Sequence, residues 1–229
     1  MTAAALVTAL AACGNDDLVT PAAGATTPAS AAPALPPLRA ADYVLVGGPV
    51  TATYTAEQDT DTSETSVFDA PLPSCMHLTA AELGPPSTDH ANGQIFDDDE
   101  SGTEIQSDAR VFASADTVLA HRAITQRPEF PACAGQAILG GMSERDRAHT
   151  NLTVKSAAAQ APPTGATAFT RLDLAGSIDG QDVDLHADVI SLFSGRVESV
   201  IVVVSPDAPL PMSRLDALTS QVAATLVKQ

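Results

Sequence analysis

Two tight turns near the C-terminal end constrain the fold of this chain more than any other feature. Asp179-Gly180 separates two strand-like runs, and Ser194-Gly195 separates the second from a third. An Asp-Gly pair suits a type I′ turn, in which both central residues take positive φ and the strand twist is preserved. Residues 167–178 supply the first arm. In the second arm Val183, Leu185, Ala187 and Val189 alternate with Asp182, Asp184, His186 and Asp188. That is the period of a strand with one face buried and one solvated. Residues 196–204 return as an almost wholly apolar strand. The segment 166–204 is therefore expected to form a three-stranded antiparallel meander with an acidic outer face.

A helix is expected next. Pro206, Pro209 and Pro211 stop the last strand, Ser213 and Asp216 stand at capping-box spacing, and Leu215, Leu218, Val222 and Leu226 share one stripe. Upstream, Ile105, Ser107, Ala109 and Val111 alternate in a strand that ends near Phe112. Ser114 is placed to cap a helix running to about Gln126, before Pro128 ends it. Residues 132–139 read as a second helical stretch. Residues 152–154 read as a strand followed by a loop over 157–165. Residues 43–46 and 50–54 read as a hairpin around Gly47-Gly48. An antiparallel sheet with flanking helices makes the expected class α+β.

The N-terminal end carries a different signal. Leu10-Ala11-Ala12-Cys13 follows a short apolar run and has the form of a bacterial lipobox, a small-residue cleavage site ending in cysteine. It implies a signal peptide over 1–12 and a lipid on Cys13, although Met1-Thr2 offers no basic segment ahead of the apolar run. Ten apolar residues fall short of the roughly twenty that a membrane-spanning helix needs. Residues 13–39 are expected to be a disordered tether of Ala, Thr, Gly, Ser and Pro, a composition without enough apolar surface to fold. The region 40–229 is expected to be one domain at the extracytoplasmic face of the cell membrane.

With Cys13 assigned to lipid, Cys75 and Cys133 remain, an even number for an oxidising compartment and a candidate disulfide. The formal charge of −17 argues against nucleic acid as a partner, because phosphate binding needs clustered Lys and Arg. Aromatic residues make up 3% of the chain and tryptophan is absent, so stacking platforms for sugars or bases are not expected.

Candidate chemistry is sparse. Asp97, Asp99, Ser101, Gly102 and Asp108 have the spacing of a calcium loop of the EF-hand kind. Glu104 replaces the usual aliphatic residue, however, and no amphipathic helix precedes the loop, so a solvated acidic turn is the expected form. His77, His90, His121, His149 and His186 are too far apart in sequence to make local metal-ligand pairs. Asp182, Asp184 and Asp188 recur at about 7 Å steps on one strand face, where they are expected to keep that face wet. No GxSxG elbow or phosphate-binding loop is present. No metal, cofactor or catalytic residue is assigned.

The order of these elements resembles a known group. A lipobox and Ala/Pro tether precede Pro-Ser-Cys at 73–75, a strand ending in Val111-Phe112-Ala113-Ser114, a helix and Cys133. The meander then ends in Ser194-Gly195-Arg196-Val197 before a closing helix. Over about residues 40–229 this resembles the actinobacterial lipoproteins and sensor modules grouped as PknH-like extracellular domains. More distantly it resembles LpqN-type lipoproteins with a PsbP-like fold. PknH-like modules often carry two disulfides, whereas this domain has cysteines for one. The resemblance implies a non-catalytic envelope module that binds a small ligand or an envelope protein, with a carrier of lipid or another apolar molecule as the alternative. The default site would be an apolar crevice between helix and sheet.

Overall fold

A computed structural model describes residues 37–59, 71–141 and 149–228, all within the unit Pro37–Gln229. The expected signal peptide, Cys13 and the tether up to residue 36 lie outside the described residues.

The meander forms as its turns require. Strands β6 (Ala168–Ile178), β7 (Gln181–Ser194) and β8 (Val197–Pro206) run antiparallel in continuous register. Asp179 and Gly180 both take positive φ, 50° and 79°, as a type I′ turn demands. The sheet then grows on both sides by non-local pairing. Strand β4 (Thr103–Val111) pairs β8 from Glu104 opposite Val204 to Val111 opposite Val197. Beyond β4 lie β2 (Asp89–Asn92) and β3 (Gln94–Asp98), with Gly93 between them, and β1 (Thr55–Gln58) is the outermost strand on β3. On the other side β5 (Thr150–Ala159) pairs β6 and forms the opposite edge. All eight strands belong to one antiparallel sheet in the order β1-β3-β4-β8-β7-β6-β5, with β2 beside β4.

Helices cover both faces. The helices in chain order are α1 (Leu72–Cys75), α2 (Ala80–Leu83), α3 (Ala115–Thr125), α4 (Phe130–Gly141) and α5 (Met212–Leu226). Helix α5 buries the stripe Leu215, Leu218, Val222 and Leu226 against Ile105, Ile190, Leu192 and Ile201 of the sheet. On the opposite face Leu172, Leu174, Ala187, Val189 and Val200 pack with Ile138 and Leu139 of α4. A third cluster, Leu72, Met76, Ile124, Phe130 and Ala134, surrounds the Cys75–Cys133 disulfide, which ties α1 to α4 with Cα atoms 5.6 Å apart. The chain is thus α+β: an antiparallel sheet with flanking helices.

Several local expectations need correction. Residues 43–54 are irregular, not a hairpin. The side chains of Tyr43 and Leu45 are drawn into the α5 core, and the Leu45 N–H donates to the Ser107 hydroxyl at 2.9 Å instead of to a neighbouring strand. Strand β5 runs through Ala159, into the expected loop, because β6 offers backbone partners that alanine accepts as readily as any residue. Helix α5 has Pro211 at its N-cap without a side-chain cap, so Ser213 and Asp216 form no capping box. Asp216 instead accepts from the Thr164 N–H at 2.7 Å. The acidic face of β7 is solvated only over Asp182 and Asp184, while Asp188 is 1% exposed. Among the described residues no helix is long and apolar enough to cross a membrane.

Candidate functional site

The corner between α3 and α4 stands opposite the end of β5, and between them lies a cleft of about 440 Å³. Each wall follows from local sequence. Helix α3 starts on Ser114, whose hydroxyl accepts from the Asp116 N–H, and the chain turns at Pro128 into α4. That corner presents Gln126, Arg127, Pro128 and Pro131. Ala157, Ala159 and Gln160 form the facing wall, with Pro162, Thr167 and Ala168 beside them. The rim beyond Pro162 is pinned to α5, where the Thr219 hydroxyl donates to the Thr164 carbonyl at 2.7 Å.

Arg127 is the one titratable residue among the described lining residues. Its guanidinium donates to Glu82 at 2.9 Å. Glu82 also closes a capping box with Thr79 at the start of α2. The Thr79 N–H, with Arg127 and the Thr79 hydroxyl, holds the Glu82 carboxyl down at about 2. Glu82 therefore stays ionised and available to Arg127 throughout the physiological range. The cleft is a mostly apolar hollow with a few fixed polar groups, which is the make-up of a binding site.

A polar row lies beside it on the α5 side of the sheet, beyond the reach of α5. Arg171 donates to both oxygens of buried Asp188, at 2.7 and 2.8 Å, and stacks over Phe169. Next to it Asp173 accepts from the Ser156 hydroxyl and lies 2.7 Å from His186 Nδ1. The Ser156 hydroxyl, followed by His186, holds the Asp173 carboxyl below the usual carboxylate range. In this trio the carboxylate sits between serine and imidazole. The imidazole is not placed to take the serine proton, so it is not the arrangement of a nucleophilic triad.

The other face holds a buried ion pair. His121 is 5% exposed and Glu198 1%. His121 Nδ1 lies 2.7 Å from Glu198 Oε2, and Nε2 lies 2.9 Å from the Leu83 carbonyl. A carbonyl can only accept, so Nε2 carries a hydrogen, and a second proton is shared between Nδ1 and the carboxylate. Burial opposes the charged ring. The hydrogen bond and charge of Glu198, with the Leu83 carbonyl, outweigh both burial and the nearby Arg110 charge and raise the His121 pKa above its usual value. The pair joins α3, the end of α2 and β8 in one contact.

The residues singled out in the sequence scatter. Cys75 and Cys133 are bridged, and Cys13 lies outside the described residues. Asp97, Asp99 and Gly102 line one hollow, and Asp108 is not among its lining residues. Asp98 organises the 99–102 turn by accepting from the Glu100 N–H and the Ser101 hydroxyl, while Asp108 stands in β4 opposite Val200. The hollow, of about 410 Å³, also has Glu57, Asp98 and Glu104 in its lining, and no group of three His, Cys, Asp or Glu placed to hold a metal occurs among the described residues. Of the histidines, His121 and His186 are held by carboxylates as above, and exposed His149 pairs with Asp179 at 3.0 Å. His77 takes positive φ after α1, and His90 sits opposite Arg110 in β2. The cleft was not visible in the sequence because its walls come from residues about thirty apart. The charge-free run that ends β5 was its only trace.

No family model and no curated protein matches the chain. Among solved structures it is similar to the 1.9 Å crystal structure of the Saccharomyces cerevisiae Ran-binding protein Mog1p, at 13% identity. The match covers 65% of this chain and 82% of that one, with a TM-score of 0.24. A likeness of that size carries no argument about what this chain binds.

Proposed function

We propose that the chain is a lipid-anchored, extracytoplasmic binding module. Cys13 holds it to the cell membrane, and the cleft between the α3–α4 corner and β5 takes a ligand or a partner protein without chemistry. The observation that carries this reading is the cleft itself: an open hollow of about 440 Å³, within the size range of binding sites. Its described lining offers alanine and proline for contact, and its one ionisable side chain is already engaged by Glu82. A carrier of lipid would wrap an acyl chain in an enclosed cavity, and an open cleft favours an adaptor or sensor instead. The test is site-specific photo-crosslinking in the native host from Gln160 on the cleft rim, with Glu57 on the opposite sheet edge as control. A discrete adduct from Gln160 alone is expected. Equal labelling from both positions would refute the cleft as the site.

A further inference from the structure

Which backbone groups of β5 face the cleft follows from the register. The Gln160 N–H donates to the Phe169 carbonyl at 2.9 Å, and Ala158 and Ser156 stand opposite Arg171 and Asp173 two and four residues earlier. In an antiparallel ladder alternate residues point their N–H and C=O groups toward and away from the same neighbour. Gln160, Ala158 and Ser156 thus spend theirs on β6, while Ala157 and Ala159 point theirs away from β6, toward the open edge. Among the described residues nothing pairs with those outward groups.

Sheet edges are normally blunted by charge and by bulges. Strand β5 has both in its middle, where the register shifts between Val154 and Ser156 around exposed Lys155. It has neither afterwards: no charged residue occurs between Lys155 and Arg171. Residues 157–160 of that stretch line the cleft, as do residues 167–169 across the β5–β6 connection. An extended residue in a sheet occupies about 3.3 Å by 4.8 Å by 10 Å, roughly 160 Å³, so the cleft has room for about three residues of strand. The charge on the flanking face is negative. Asp173, held ionised, stands directly behind Ser156, with exposed Asp182 and Asp184 further along, on a chain of formal charge −17.

We propose that the edge of β5 from Ser156 to Ala159 accepts an extended segment of a partner polypeptide as an added strand. Small side chains of that segment lie against the alanine and proline walls, and a lysine or arginine leans over Ser156 to Asp173. This rests on the reading of the cleft as the binding site and names the class of its partner. Backbone pairing supplies the attraction, and the pockets for alternate side chains supply the selectivity.

The probe is a fluorescent heptapeptide of alternating lysine and alanine, titrated with the full chain at low salt and followed by anisotropy. Saturable binding is expected. Ala159→Pro removes only an outward-facing donor, keeps the β6 bonds and sits at an edge position that proline tolerates. It is expected to weaken binding about tenfold, the equivalent of one net hydrogen bond. Asp173→Asn should weaken it about threefold and flatten its salt dependence. A peptide N-methylated at alternate residues makes the same test without altering the chain and should not bind. Unchanged affinity for Ala159→Pro or for the methylated peptide overturns strand addition, and equal affinity for a glutamate/alanine peptide overturns the charge assignment. No binding at millimolar peptide overturns the proposal outright. If the Gln160 crosslink persists in any of these cases, the cleft stands as the site and only the strand-addition reading has failed.

Discussion

Removing the Glu198 carboxylate should expose how much of the helical layer depends on one buried proton. In Glu198→Ala the imidazole of His121 keeps its Nε2–H bond to Leu83 but has no counter-charge in a site that is 5% exposed. Deleting one partner of a buried pair typically costs about 3–5 kcal/mol. For a domain of this size each kcal/mol moves Tm by roughly 2–4 °C, so a fall of roughly 6–20 °C is expected. The pH dependence has a fixed sign. The folded His121 pKa is raised above the ordinary imidazole value of about 6.5, so the pair's contribution is fully present below about pH 6.5 and is lost as pH rises through the folded value. Thermal melts of wild type, Glu198→Ala, His121→Gln and the double variant between pH 5.5 and 9 isolate this term from the other titrating groups. The double-mutant coupling should be about 1–3 kcal/mol at acid pH and shrink on the alkaline side. A coupling near zero at pH 5.5, or one that grows with pH, would refute the assignment.

Three further outcomes are expected. Reducing the Cys75–Cys133 bridge, whose cysteines are 58 residues apart, should cost on the order of 4 kcal/mol by the chain-entropy account. A reduced chain with an unchanged melting curve would contradict that. Asp188→Ala strands Arg171 beside a 1%-exposed site and should destabilise by about 3–5 kcal/mol, whereas Asp182→Ala on the exposed end of the same face should fall within about 0.5 kcal/mol. Gly93→Ala would push a methyl group onto the Ser107 hydroxyl that holds the Leu45 N–H. An overpacking loss of about 1–3 kcal/mol is expected in urea unfolding, and a neutral result would show that the 43–45 segment is not fastened there.

What the sequence disclosed was mostly local. The Asp179-Gly180 turn, the Ser114 cap and the Leu215–Leu226 stripe each lie within a few residues and can be recognised without knowing their partners. Strands β2 and β3 have no sequence signature because 89–98 mixes His, Asn, Gly and Asp with few apolar residues, and their pairing comes from β4. The end of β5 reads as loop because three alanines carry no period. Asp188 looked like its solvated neighbours, and what buries it is Arg171 on the adjacent strand. His121 and Glu198 are 77 residues apart, so no spacing rule could join them, and the cleft is likewise a product of tertiary structure.

The central claim is attachment through Cys13 together with occupancy of the cleft, and native mass spectrometry of the chain gently extracted from its host membrane tests both. A chain beginning at Cys13, heavier by a diacylglyceryl group and carrying a bound ligand or polypeptide that Ala159→Trp displaces, is the predicted result. An unprocessed, unlipidated chain, or a bound mass indifferent to Ala159→Trp, would contradict it.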